Sequence, residues 1–153
     1  MPAAESVTRR GLVGRLALAG AAGLAAFRGG SALAATEPRR VAYHVSDESK
    51  LLFALGNIAN HIAGEGGPGR VRIALVVNGP ALTACAAVAA NPELIRRLGA
   101  AAAAGVELGA CGNTLDATGL TVADLVPGFS RIDEGGVVRL ARLQAEGWAY
   151  LRP

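Results

Sequence analysis

The chain has 153 residues, of which 52% are hydrophobic, 18% charged and 4% aromatic, with two cysteines and a formal net charge of +3. Residues 1–35 carry Arg9, Arg10, Arg15 and Arg28 against Glu5, which leaves eleven basic and eleven acidic groups in residues 36–153. The longer segment is formally neutral and its arginines are scattered rather than gathered in a stripe, which argues against a nucleic-acid partner.

The first 35 residues read as a signal peptide. A polar start ends in Thr8-Arg9-Arg10-Gly11-Leu12-Val13, an Ala/Gly/Leu-rich apolar run extends from Leu16 to Phe27, and Ala32-Leu33-Ala34 offers a small-x-small cleavage site. The paired arginines before a weakly apolar, glycine-rich run are of the twin-arginine type, which carries folded proteins. Arg15 and Arg28 bracket that run, which is shorter than the roughly 20 residues a membrane span needs. The expectation is an exported, periplasmic protein with no stable membrane span after cleavage and one domain over 36–153, near the modal domain size.

That domain alternates strand-like and helix-like patterns. Arg40–Val45 reads as a strand, and Ser46-Asp47-Glu48 supplies a helix cap and first-turn carboxylates. Leu51, Leu55, Ile58 and Ile62 form one apolar helical stripe, which ends at Gly64 and the turn Gly66-Gly67-Pro68-Gly69. Val71–Val77 is apolar at nearly every position, as expected of a central strand covered on both faces. Asn78-Gly79-Pro80 reads as a turn and the alanine-rich Ala81–Ala90 as a short helix.

Asn91-Pro92-Glu93 then starts a helix whose buried face is expected to hold Leu94, Ile95 and Leu98, with Gly105 stopping it. Val106–Ala110 reads as a third strand, followed by Cys111-Gly112-Asn113-Thr114 and a short helical or irregular stretch in which Thr121 and Asp124 form a capping box. Ser130–Asp133 reads as a brief fourth strand. Gly135-Gly136 leads into a last helix with Val137, Leu140 and Ala141 on one face, and Trp148–Leu151 is a fifth strand. The pattern predicts an α/β fold: a three-layer α/β/α sandwich around a mostly parallel five-stranded sheet. The strand order is not legible.

In such a sheet ligands bind beyond the carboxyl ends of the strands. The polar, small-residue clusters fall there: Ser46-Asp47, Asn78-Gly79-Pro80, Cys111-Gly112-Asn113-Thr114 and Asp133-Glu134-Gly135-Gly136. Candidate site residues are Cys111, His44, Asn78, Gly79, Gly112, Asn113 and Thr114, although the two asparagines suit caps and turns better than substrate contact. The phosphate-binding loop with Gly-Lys-Ser/Thr, the Gly-x-Ser-x-Gly elbow, His-Glu-x-x-His and Cys-x-x-Cys are all missing. Gly64-x-Gly66-x-x-Gly69 matches a dinucleotide pattern only by letter, since it follows a helix and precedes a strand.

Cys111 at a strand end has two readings: a thiolate stabilised by backbone N–H groups, or an inert cysteine filling space beside the sheet. Cys85, inside the alanine-rich stretch, reads as a small buried apolar residue, and a disulfide between the two is a third alternative. His61 and His44 are lone histidines, more often structural than chemical, and His44 stands closer to the rim.

Several segments together resemble the DsrE/DsrF-like family, in its branch of small exported members. They are Val41-Ala42-Tyr43-His44-Val45-Ser46, Asn57-Ile58-Ala59-Asn60-His61, Val76-Val77-Asn78-Gly79-Pro80-Ala81-Leu82, Gly105 to Leu115, and Glu134-Gly135-Gly136-Val137-Val138. The resemblance spans nearly the whole of residues 36–153, and Cys-Gly-Asn-Thr with the terminal Gly-Gly-Val-Val is its most specific part. It implies a five-stranded α/β/α fold, homotrimers or hexamers, and a role in sulfur oxidation or sulfur relay. It also implies a persulfide-carrying cysteine at the position of Cys111, exchanging sulfur with a donor or acceptor protein without a cofactor or metal. The alternative is a non-catalytic periplasmic module that binds a small ligand or a protein.

Overall fold

Strands that are buried on both faces must be apolar along their whole length, and the two central strands of this sheet show it. β1 (Arg39–Val45) and β2 (Val71–Val77) pair in parallel from Arg39↔Val71 to Val45↔Val77, and every residue of β2 except Arg72 is buried. The computed structural model describes residues 37–153. The expected signal peptide, including Arg9, Arg10 and the cleavage site near Ala34, lies outside the described residues.

The remaining strands, β3 (Glu107–Cys111), β4 (Phe129–Ile132) and β5 (Ala149–Leu151), complete one sheet in the order β4-β3-β2-β1-β5, with every pairing parallel. From β1 to β4 the chain always steps the same way, so right-handed crossovers put α1 (Leu51–Gly64), α2 (Gly79–Thr83), α3 (Pro92–Ala103) and α4 (Gly112–Thr118) on one face. The step from β4 back across the sheet to β5 reverses direction and puts α5 (Gly136–Ala145) on the other face. The larger core, with Leu51, Leu55, Ile58, Ile73, Leu75, Leu98 and Leu108, lies under α1 and α3. A smaller one, of Ala42, Ala74, Val76, Ile132, Leu140, Leu143 and Trp148, lies under α5.

Helix starts follow the caps in the sequence. The Asp47 carboxylate accepts from the Ser49 amide at 2.8 Å, and Asn91 Oδ1 accepts from the Leu94 amide at 2.9 Å. Thr121 and Asp124 form the expected capping box.

Three expectations need correction. Ala81–Ala90 is not a helix: α2 begins at Gly79, with Asn78 as its cap, and ends at Thr83. Beyond it the backbone is drawn off by the segment before β4, because the Cys85 carbonyl accepts from the Val126 amide and the Ala87 amide donates to the Asp124 carbonyl, at 2.9 and 2.8 Å. Ile95 is exposed, because α3 turns Leu94, Leu98 and Ala101 to the core. In α5 the buried residues are Gly136, Leu140 and Leu143, so Val137 and Ala141 face outward, Val137 at 72% exposure. Among the described residues no helix is long and apolar enough to cross a membrane.

Candidate functional site

The register fixes where the chemistry falls. Val45, Val77, Ala110 and Arg131 stand in one row across β1, β2, β3 and β4, so Ser46, Asn78, Cys111 and Ile132 form the next row, at the carboxyl rim. Adjacent strands β3 and β4 lead into helices on opposite faces, since α4 follows β3 and α5 follows β4. This is the topological switch point at which open parallel sheets bind ligands, and Cys111 stands on it.

Cys111 is the last residue of β3 and the cap of α4, and it is 5% exposed. Its Sγ accepts a hydrogen bond from the Gly136 amide, the first residue of α5, at 3.1 Å. Burial pushes the thiol's pKa up. The Gly136 amide, the Thr114 amide and hydroxyl, and the Asn113 amide outweigh that and hold the pKa below the ordinary cysteine value. The sulfur thus sits among donors from two elements that are 25 residues apart in sequence.

Glycine makes this approach possible. A Cβ on Gly112 would stand 2.6 Å from the Ile132 carbonyl oxygen, and one on Gly136 would stand 3.2 Å from Val76 Cγ1 and 3.5 Å from Cys111 Cβ. Gly135 has φ +84°, and a Cβ there would meet the Asn113 side-chain amide at 2.7 Å. The Cys-Gly and Gly-Gly pairs at two strand ends are therefore halves of one close contact.

The other predicted site residues gather along the same rim in a connected line. The Gly79 amide donates to Thr114 Oγ1 at 3.0 Å, which joins the start of α2 to α4. Asn78 Oδ1 lies 3.2 Å from His44 Nε2, and His44 Nδ1 lies 2.8 Å from the Tyr150 hydroxyl. Burial lowers the His44 pKa, the Asn78 bond raises it and the Arg152 charge lowers it, with a net fall that favours the neutral ring. A neutral His44 satisfies both partners in one tautomer: Nε2–H donates to Asn78 and Nδ1 accepts from Tyr150.

Thr114, Gly79 and Asn113 also line a 670 Å³ cleft with Glu48, Pro80, Thr83, Ala84, Ala89, Ala117 and Thr118; Cys111 is not among its walls. His61 lies apart from the rim, with Nδ1 3.0 Å from the Tyr43 hydroxyl.

Both cysteines are free thiols, so the disulfide alternative is not formed. Cys85 is fully buried, its Sγ donates to the Ala81 carbonyl at 3.3 Å, and burial pushes its pKa up to about 12. Among the described residues there is no group of three or more His, Cys, Asp or Glu side chains able to hold a metal.

Sequence reasoning missed Tyr150 and Arg131. Arg131 Nη2 donates to Asp116 of α4 at 2.7 Å and Nε donates to Asp133 at 2.8 Å. Neither had a sequence signal beyond its place in a short strand.

The DsrE/DsrF-like family model matches residues 40–153. Among solved structures, the protein of unknown function MTH1491 from Methanobacterium thermoautotrophicum is 32% identical; 75% of this chain and 99% of that chain are covered, with a TM-score of 0.65. The ychN protein from E. coli is 20% identical with the same coverage of 75% and 99% and a TM-score of 0.60, a likeness of fold. A comparison with curated proteins finds no match.

Proposed function

The chain belongs to the DsrE/DsrF-like family, and from that premise we propose that it carries sulfane sulfur as a persulfide on Cys111. The observation that supports this most is the Gly136 amide on the Cys111 sulfur, backed by the Asn113 and Thr114 groups. A carrier thiol must be a thiolate to attack and a stabilised anion to wait, and the same N–H groups serve both needs.

The exchange is balanced without a cofactor. The Cys111 thiolate attacks the outer sulfur of a donor R–S–SH; the donor's S–S bond breaks, R–S⁻ leaves and takes up a proton, and the outer sulfur becomes the terminal sulfur of the Cys111 persulfide. Transfer to an acceptor thiolate is the same displacement in reverse. Intact-mass analysis after exposure to polysulfide should show a gain of about 32 Da, one sulfur atom, located by peptide mapping to Cys111. A protein that remains unmodified while its thiols are titratable would end the carrier reading.

A second reading is a non-catalytic module that binds a small ligand or a protein. It is favoured by the burial of Cys111 and by the 670 Å³ cleft beside it, in whose walls the sulfur takes no part. Saturable ligand binding that survives Cys111→Ser would support it.

The same proposal places the protein in the periplasm, on the strength of Thr8-Arg9-Arg10 and the Ala32-Leu33-Ala34 site. Replacing Arg9 and Arg10 by lysine should hold the precursor in the cytoplasm, and normal export of that variant would refute the route. The protein acts as a homo-oligomer, a trimer or hexamer, which would cover exposed apolar residues such as Phe53, Val137 and Val138. Light scattering that reports a monomer at micromolar concentration would refute this.

A further inference from the structure

We propose that Arg131 is a positioning residue that controls access to the Cys111 sulfur, acting as an ionic strut between the two segments that enclose it. The proposal rests on the carrier reading for its purpose but not for its test.

Cys111 is 5% exposed, so a donor or acceptor cannot reach Sγ until the start of α5 moves off the sulfur or the start of α4 moves aside. Both segments are tied to one side chain. Arg131 Nη2 donates to Asp116 in α4 and its Nε donates to Asp133, the first residue of the loop that delivers Gly135 and Gly136. Its guanidinium also lies against Gly112, where a Cβ would come within 3.2 Å of Nη2. A longer residue at 112 would push the strut aside.

The loop itself is short and built to pivot. The Gly135 amide donates to the Ile132 carbonyl at 3.0 Å, and Gly135 holds φ +84°. Just before the pivot, Glu134 is held to Arg142 of α5 at 3.0 Å, so the loop's two acidic residues are tied to different elements, Asp133 to Arg131 of β4 and Glu134 to α5. With Asp133 fixed to Arg131, the hinge holds Gly136 down on the sulfur. With that tie gone, the loop is free to swing with α5.

The strut is exposed to solvent: the side chains of Asp116 and Asp133 are 67% and 86% exposed and that of Arg131 is 36%. Ion pairs of this kind are modest in energy and are screened by salt. They suit the control of a small local opening better than the maintenance of the fold, and so salt becomes a diagnostic.

The test is the rate at which iodoacetamide, a neutral reagent, alkylates Cys111 in the full folded chain, with Cys85 followed in the same digest. Arg131→Gln should raise the Cys111 rate by about three- to tenfold, Asp116→Asn and Asp133→Asn should each give part of it, and Cys85 should not change. Sodium chloride should speed the wild type and leave Arg131→Gln nearly unaffected. If Arg131→Gln folds poorly, the salt series on the wild type alone decides the matter. Equal Cys111 rates in the two proteins, a wild-type rate that is flat in salt, or parallel rises at Cys85 and Cys111 would each overturn the strut. Sulfur loading is scored separately by mass: faster alkylation without loading removes the carrier reading and keeps the strut, whereas loading with unchanged alkylation does the reverse.

Discussion

Cys85 and Cys111 are both buried next to a short helix, and their surroundings drive the two thiols in opposite directions. Cys85 lies just past the end of α2, where the free carbonyls of a helix collect, and its sulfur donates to one of them, the Ala81 carbonyl. Cys111 lies just before α4 and against the start of α5, where free amides collect, and its sulfur accepts. Burial disfavours the anion at both sites, and at Cys85 nothing opposes it, so the pKa is pushed up to about 12. At Cys111 the amides of Gly136, Thr114 and Asn113 and the Thr114 hydroxyl reverse the outcome. The end of the helix that a thiol meets thus decides whether anything opposes the cost of burying its anion.

The largest effect expected of this contrast is an exchange of loss between the two positions. Cys111→Ser should abolish sulfur loading and leave the fold and assembly nearly intact, because the small hydroxyl can still accept from Gly136. Cys85→Ser should keep loading. Its cost in stability falls at the low end of roughly 1–3 kcal/mol, since the new hydroxyl inherits the Ala81 carbonyl as acceptor. Urea unfolding and intact mass on both variants check this, and loading that survives Cys111→Ser would break the comparison.

A smaller effect is the pH dependence of alkylation. With the folded pKa of Cys111 held below the ordinary cysteine value and that of Cys85 pushed up to about 12, the alkylation rate of Cys111 should reach its plateau at a lower pH than that of a free cysteine, while Cys85 still reacts negligibly there. The sign for stability follows from linkage. The depressed pKa of Cys111 contributes stability that is fully present above the unfolded pKa and is lost as pH falls through the folded one, whereas the raised pKa of Cys85 opposes folding as pH climbs past the unfolded value. Coincident pH–rate curves for the two thiols would show that the amides do not act as described.

Much of this site was legible in the sequence, for a definite reason. A parallel sheet places every strand's carboxyl end on one rim, so Ser46, Asn78, Cys111 and Asp133 could be assigned to one edge from strand limits alone. Which two strand ends meet was not legible, because that needs the strand order, and the order is set by the face each helix covers. Only with β3 beside β4 does Gly136 come to Cys111. The signal present was glycine at both ends, at Gly112 and at Gly135-Gly136, which in hindsight marks one close approach.

The misplaced residues share another cause. Ala81–Ala90 has helical composition, and Ala81, Leu82, Cys85 and Ala86 are buried at helical spacing, but past Thr83 the Val126 and Ala87 backbone bonds to the segment before β4 decide its path instead. Ile95 and Val137 are apolar residues that stand outside the buried stripes of their helices. Exposed apolar residues of this kind cannot be told from core residues by composition.

The smallest expected effect concerns Thr114 and sharpens the account of the thiolate. Its Oγ1 accepts from the Gly79 amide, which leaves its single hydroxyl proton free to turn toward the Cys111 sulfur, whose pKa the hydroxyl helps to lower. Thr114→Ser keeps both bonds and should leave the alkylation curve of Cys111 in place. Thr114→Val keeps the shape, removes the donor to sulfur and orphans the Gly79 amide. The midpoint of the Cys111 curve should then move up by about one pH unit or less, because the backbone donors remain and one unit corresponds to about 1.36 kcal/mol, near the worth of one hydrogen bond. Stability should fall by about 1 kcal/mol for the unpaired amide, with no change in the rate at Cys85. A Thr114→Val curve that superimposes on the wild type would leave the Gly136, Asn113 and Thr114 amides as the whole cause of the lowered pKa, and would reduce the hydroxyl to a tie between α2 and α4.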